Sequence, residues 1–150
     1  MITKLNIDPA LSERDGLLKF KPPVTVIVKG TFDEAMSDKF NTDVNVALST
    51  GQEVVPVIIE SYGGAVYSLM AMLDTIKSCP VPVATIIKGK AMSCGSILAA
   101  AGTKGFRFIS PLSTMMIHEV ATGDWAKIAE FKATAAQADA LNNILFKNVR

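Results

Sequence analysis

Residues 83–102 read Val83-Ala84-Thr85-Ile86-Ile87-Lys88-Gly89-Lys90-Ala91-Met92-Ser93-Cys94-Gly95-Ser96-Ile97-Leu98-Ala99-Ala100-Ala101-Gly102. The β-branched run at 83–87 predicts a buried strand, and the run rich in alanine and leucine after Cys94 predicts a helix. Ser93 therefore falls where a strand turns into a helix. At such a junction the unpaired N–H groups and the dipole of the helix favour negative charge. A serine there could attack a carbonyl group while the N–H of Cys94 holds the resulting oxyanion. The alternative is a serine that only caps the helix.

The remaining pattern predicts alternating strands and helices. Thr31 is predicted to cap the first helix, with Glu34 completing a capping box, and Pro56 indicates an edge strand or a bulge. Strand–helix–strand order with short connections predicts an α/β fold with a largely parallel sheet, whose strand ends gather candidate site residues at one edge. The predicted strands are 24–28, 54–59, 83–87, 106–109 and 114–118, and the predicted helices are 31–49, 65–78, one after Ser93, and a long one at 125–149.

Composition narrows the class of protein. The chain has 150 residues, a formal net charge of +1, 49% hydrophobic and 19% charged residues, which predicts one folded domain and gives no reason to expect a nucleic acid partner. The apolar window 65–87 is interrupted by charges and prolines, and residues 1–9 lack an apolar signal core, so no membrane association is expected. Two cysteines without metal-ligand spacing predict reduced thiols, a cytoplasmic location and no metal or cofactor.

Three features can supply acyl-transfer chemistry together. His118 is the only histidine and the candidate base for Ser93, and Gly63-Gly64 follows a predicted strand, where a backbone N–H can face a substrate. Each feature also has a purely structural interpretation. His118 could simply be a histidine at the end of a strand, and Gly63-Gly64 could be a tight turn that needs positive φ.

In order and spacing these segments resemble the ClpP family of serine proteases. The segments are Ser61-Tyr62-Gly63-Gly64-Ala65-Val66, Gly89 to Gly95 and Met115-Met116-Ile117-His118. The intervals of 29 residues from Gly64 to Ser93 and 25 from Ser93 to His118 match the family. The resemblance covers the chain from about Val24 onward.

The resemblance implies a ClpP/crotonase-like fold of repeated β-β-α/βαβ units, with residues 1–23 as an N-terminal arm and 24–150 as the protease domain. It implies Ser93 as nucleophile, His118 as base, and the Gly64 and Cys94 amides as oxyanion hole. A substrate peptide would bind along Gly63, Gly64 and Val66 and beside Ala121. The expected partners are unfolded polypeptide, other copies of the chain in rings joined through a handle helix at 125–149, and an AAA+ unfoldase.

The sequence departs from the family pattern in two ways. The family's third triad member is an acid after the handle helix, and the printed sequence ends at Arg150 before any matching position. The chain is then expected to be either a truncated form of a longer protease or a naturally short, phage-type relative. Tyr62 stands where the family usually has proline, which is expected to alter the turn that presents Gly64.

Three further functions stay open on the sequence alone. The chain could be a weak or inactive ring subunit that keeps the fold without turnover. It could be a crotonase-type acyl-CoA enzyme, against which stand its short length and the Ser93/His118 pair. It could also be a Ser-Lys peptidase with Lys88 or Lys90 as base, although both lysines precede Ser93 closely in the sequence.

Overall fold

A computed structural model describes residues 22–118 together with Asp139, Ala140 and Asn143. Residues 22–118 contain five strands and three helices, which alternate up to the fourth strand. They are β1 (Val26–Phe32), α1 (Glu34–Ser49), β2 (Val55–Gly64), α2 (Val66–Ser78), β3 (Val83–Met92), α3 (Cys94–Ala100), β4 (Arg107–Ile109) and β5 (Thr114–Met116). The predicted α/β class is confirmed.

The strands form one sheet in which every described pairing is parallel. Its order is β1-β2-β3-β4, and β5 pairs with β3 beyond β4. β4 pairs with the middle of β3, whereas β5 pairs with Lys90–Met92 at its carboxyl end. The segment 110–113 between them makes a turn held by the Ser113 hydroxyl, which donates to Ile87 O and accepts from Gly89 N–H. The two short strands thus flank β3 one after the other.

One face of the sheet carries the core, because the helices contribute apolar side chains at helical spacing over it. The largest fully buried side chains come from β1, β2, β3 and from all three helices: Phe32, Phe40, Ile59, Leu69, Met72, Leu98, Val26, Val28, Val55, Val57 and Val83. On the opposite face, Ile27, Ile58, Ile86 and Phe108 form a row in register across four strands, and its two outer members are exposed. The nucleophile candidate follows β3, whose first half is buried in this core.

Two local predictions are wrong. Helix α1 is capped by Asp33, whose Oδ1 accepts from Met36 N–H at 2.8 Å, and not by Thr31. Thr31 cannot cap the helix because β1 continues to Phe32 and pairs Thr31 with Gly63. Pro56 lies in an interior strand, paired with Ala84 and remote from either register shift. It is tolerated there because pairing with β1 begins only at the next residue, Val57.

Several predictions concern residues outside the described ones. These are the N-terminal arm except for Pro22 and Pro23, the substrate contact at Ala121, and the long helix at 125–149 except for three residues. Asp139, Ala140 and Asn143 are helical and exposed. No helix in residues 22–118 is long and apolar enough to cross a membrane.

Candidate active site

Three adjacent parallel strands end side by side. β2 ends at Gly64, β3 at Met92 and β5 at Met116, and Met92 is the direct partner of Met116. Ser93 follows β3 immediately, and His118 lies two residues beyond β5. Parallel strands that pair in this register bring their carboxyl ends to one edge of the sheet. The structure thus brings Gly64, Ser93 and His118 to the same edge.

Ser93 has an unusual backbone. Its φ of 52° and ψ of −121° make it the one non-glycine residue with positive φ in the part of the chain that the structure describes. A side chain in this conformation costs about 1–3 kcal/mol, which surrounding contacts must offset. The Ser93 side chain makes no hydrogen bond to the helix terminus. The capping interpretation of Ser93 is therefore wrong for this conformation.

Hydrogen bonds on both sides of Ser93 hold that conformation. Its N–H donates to Met116 O at 2.8 Å, which ties it to the strand that leads to His118. Its carbonyl accepts from Ser96 N–H at 2.9 Å, Ser96 Oγ at 2.6 Å and Ile97 N–H at 3.3 Å. Ser96 itself is fully buried. The backbone of Ser93 is thus held from both sides, and the residue as a whole is half-buried.

The Gly63-Gly64 segment lies against Ser93. A Cβ built on Gly63 would fall 2.8 Å from Met92 O, 2.9 Å from Ser93 Cβ and 3.0 Å from Cys94 N. Only a glycine allows this approach, and its φ of +98° also favours glycine. The second glycine is equally constrained, because its Cβ would lie 2.5 Å from Phe32 O. The glycine pair is thus required by contact with residues 92–94, the serine loop, on one side and with β1 on the other.

The side chain of Cys94 points inward and leaves only its backbone for chemistry. Its Sγ lies 3.2 Å from Gly64 O, and the residue is 2% exposed. Burial raises the pKa of this thiol above its ordinary value, and hydrogen bonding to Gly64 and to the Ser93 side chain only partly opposes the rise. A protonated, buried thiol is a poor nucleophile. Ser93 is therefore the better candidate nucleophile of the two, and the Cys94 thiol contacts the Gly64 carbonyl.

Charged groups line the open face of the sheet next to this edge. Glu60 contacts Lys29 at 3.0 Å and Lys90 at 3.6 Å, and Lys90 Nζ lies 4.4 Å from the centre of the Tyr62 ring. Hydrogen bonding and charge attraction from Lys29 lower the pKa of Glu60. These contacts engage the Lys90 ammonium group at Glu60 and Tyr62, which speaks against Lys90 as the base for Ser93.

The other predicted substrate contact, Val66, is the first residue of helix α2, and it packs against the core. Between the end of β2 and this helix only Ala65 remains extended, and its N–H already donates to Phe32 O at 2.7 Å. The exposed backbone available to a peptide is therefore shorter than the segment Gly64–Val66 suggests. Within residues 22–118 no group of three or more histidine, cysteine or acidic side chains is arranged to hold a metal ion.

Sequence reasoning missed two serines that organise this edge. Ser96 clamps the Ser93 carbonyl, and the Ser61 hydroxyl accepts from Gly63 N–H at 2.9 Å. The contact of Ser61 had a signal in the sequence, because a serine hydroxyl often binds the N–H two residues further on when glycines follow. The contact of Ser96 is the short-range bond that a serine in the first helical turn makes to the carbonyl three positions earlier.

The fold and this edge define a parallel α/β domain with a strained serine at a strand–helix junction. Comparison with known protein families matches the Clp protease family over residues 18–149. The chain belongs to this family. Over 94 residues it is also 35% identical to the ATP-dependent Clp protease proteolytic subunit of Deinococcus radiodurans, across 63% of this chain and 46% of that protein. The match thus spans about half the length of this relative.

Proposed function

We propose that the chain is a serine endopeptidase of the Clp type that hydrolyses peptide bonds of unfolded polypeptides. The observation that carries the proposal is the conformation of Ser93, held at a φ of 52° by hydrogen bonds to both of its peptide groups, while its side chain makes no capping hydrogen bond to the helix. Strain of this kind persists where the surrounding structure enforces it, and it is concentrated at functional sites. Membership of the Clp protease family supports the same chemistry.

In this proposal Ser93 Oγ attacks the carbonyl carbon of the scissile peptide bond, and His118 takes the hydroxyl proton. The N–H groups of Gly64 and Cys94 receive the oxyanion, and that of Cys94, at the first position of α3, lacks a partner within the helix. His118 then gives the proton to the leaving amine, which departs with the breaking C–N bond. Water, activated by the same histidine, releases the acyl group and restores Ser93.

A substrate in extended conformation would add to the sheet edge beside Gly63 and Gly64, and beside Ala121 as the family resemblance implies. Main-chain hydrogen bonds would supply most of the binding free energy, so that the sequence of the substrate matters little. An unfolded polypeptide presents its backbone in this way, whereas a folded protein does not. An AAA+ unfoldase as partner and a cytoplasmic location follow from the family resemblance alone.

The test is labelling with a fluorophosphonate, followed by intact mass and peptide mapping. We expect one adduct per chain on Ser93, none in Ser93→Ala, and a rate about 100-fold or more lower in His118→Ala, because loss of the base leaves the hydroxyl unactivated. Ser110→Ala, which changes a serine outside the proposed site, should label like the wild type. A stable, folded wild type that takes no label at high reagent excess would contradict the proposal and favour a non-catalytic subunit.

We also propose that copies of the chain associate through the sheet edge formed by β4, β5 and the residues around them. Six large apolar side chains there are more than two-fifths exposed, and Leu112 is 97% exposed: Phe108, Ile109, Leu112, Met115, Met116 and Ile117. A pocket of about 250 Å³ opens beside them between this edge and the end of α3. Such an apolar edge is typical of an interface, and rings are expected from the family resemblance.

Light scattering after size exclusion tests the association. We expect the wild type to form a discrete oligomer and Leu112→Ser combined with Phe108→Ser to shift it toward the monomer. Val46→Ser is the control, because Val46 is half exposed but lies on helix α1, away from the edge. An edge variant whose mass in solution equals that of the wild-type oligomer would contradict the proposed interface.

A further inference from the structure

Ser61 lies where the regular pairing of the sheet breaks on both sides of β2. Between β1 and β2 the register shifts between Lys29 and Thr31, and between β2 and β3 it shifts between Ile59 and Ser61. Ser61 is 1% exposed, so its hydroxyl must find partners within the protein. A register shift next to a candidate site redirects the backbone beyond it, and something must then hold that backbone in place.

The Ser61 hydroxyl bridges the two groups at this break. It donates to Gly30 O and accepts from Gly63 N–H at 2.9 Å. Gly30 is the residue of β1 that the register shift leaves without a direct partner on β2. One buried side chain thus connects the irregular position of β1 to the end of β2. Gly95, in the first turn of α3, would contact Ser61 Cβ at 3.5 Å and its carbonyl at 3.4 Å if it carried a side chain.

Gly63, the residue that this hydroxyl holds, touches the serine loop. Its Cα approaches so closely that an added Cβ would fall within 3.0 Å of Met92 O, Ser93 Cβ and Cys94 N. The peptide group that follows Gly63 carries the Gly64 N–H. A rotation of the Gly63 backbone would therefore move one proposed oxyanion donor relative to the other. With a φ of +98°, glycine has conformational freedom here that only external contacts remove.

We infer that Ser61 is a positioning residue, which acts through Gly63 to set the Gly64 N–H at the correct distance from Ser93. The effect of Ser61 on catalysis rests on the proposed function, whereas its effect on the Gly63 backbone does not. Ser37 offers a contrast: it is also buried, at 7% exposed, and its hydroxyl donates to Glu34 O within its own helix.

Labelling kinetics with a fluorophosphonate test the catalytic part in the full chain. Ser61→Ala should lower the maximal labelling rate, kinact, by about tenfold while KI changes by less than about twofold, because the oxyanion donor is displaced but the binding surface remains. Ser61→Cys, which keeps a weaker donor and acceptor, should fall between. Ser37→Ala is the matched control for the loss of one buried serine hydroxyl and should label at the wild-type rate. Circular dichroism and Tm are recorded for every variant.

Hydrogen exchange of the Gly63 amide, followed by NMR, tests the structural part without any activity. Ser61→Ala should speed this exchange by about tenfold, and Ser37→Ala should leave it unchanged. Unchanged exchange at Gly63 in folded Ser61→Ala, or an equal loss of kinact in Ser37→Ala, would overturn the inference. If the wild type takes no label, the proposed function fails, and the exchange rates still decide whether Ser61 holds Gly63. If Ser61→Ala does not fold, the same two measurements on Ser61→Cys decide it.

Discussion

The two halves of the sheet are built differently. In the amino-terminal half, β1, β2 and β3 pair without interruption from Val55↔Val83 to Ile59↔Ile87, and alternate side chains are fully buried. In the carboxyl-terminal half both pairings shift register, and Gly30, Gly63, Gly64, Gly89 and Ser93 all have positive φ. The regular half contains most of the fully buried side chains of the sheet, and the candidate site residues that the structure describes lie in the irregular half or directly beyond it.

This difference shows how the strain at Ser93 can persist. Buried apolar side chains in the regular half each contribute about 1.5–3 kcal/mol, which is comparable to the cost of one residue in a disfavoured backbone conformation. Substitutions in the irregular half are therefore expected to lower the activity of the protein and to change its stability little, unless the new side chain collides with its neighbours. The regular half should show the reverse. Three substitutions test this contrast, with the free energy of unfolding as the common measure.

Ile59→Ala should have the largest effect on stability. Ile59 is fully buried at the last regular position of β2, so removal of its side chain leaves a cavity in the core. We expect the free energy of unfolding to fall by about 3–4 kcal/mol, measured by urea denaturation. Ile58→Ala, on the open face of the same strand, should cost clearly less. Equal losses at the two positions would show that both faces are packed alike, and the contrast between buried and open faces would not hold.

Gly63→Ala should have the next largest effect and should affect both properties. The new methyl group would lie within 3.0 Å of three atoms of the serine loop, and alanine is strained at a φ of +98°. We expect a loss of about 2–3 kcal/mol in unfolding free energy and labelling of Ser93 about 100-fold slower. Gly51→Ala is the control: it has a φ of +73° but no atom within 4 Å, so strain alone should cost about 1 kcal/mol. A Gly63→Ala protein as stable as Gly51→Ala would argue against the close contact.

Ser93→Gly should have the smallest effect on stability, and of opposite sign. Glycine adopts a φ of 52° without the penalty of a side chain, so we expect a gain of about 1 kcal/mol together with complete loss of labelling. Ser96→Gly, three residues further on in helix α3, should instead destabilise the protein by about 1 kcal/mol, because it removes a hydrogen bond and a better helix former. If both variants destabilise the protein equally, Ser93 is not strained.

Much of this arrangement could be predicted from the sequence. The β-branched runs predicted three of the strands, and the strand–helix alternation predicted a parallel sheet, because crossover connections allow little else. The junction at Ser93 was also predicted. The prediction failed for the cap of α1, since Thr31 has good capping chemistry but was drawn into β1 by pairing with Gly63. It also failed at Pro56, where the position of a strand within the sheet depends on pairing and not on its own residues.

The sequence by itself determined the fold class, the family and the positions of the candidate residues along the chain, because periodicity, helix signals and motif spacing are local properties. Only the tertiary structure decided the conformation of Ser93, the contact between Gly63 and the serine loop, and the bridge that Ser61 makes from Gly30 to Gly63. These features join residues some 30 positions apart. They arise from the register between parallel strands, which depends on how the whole sheet packs and which no local pattern encodes.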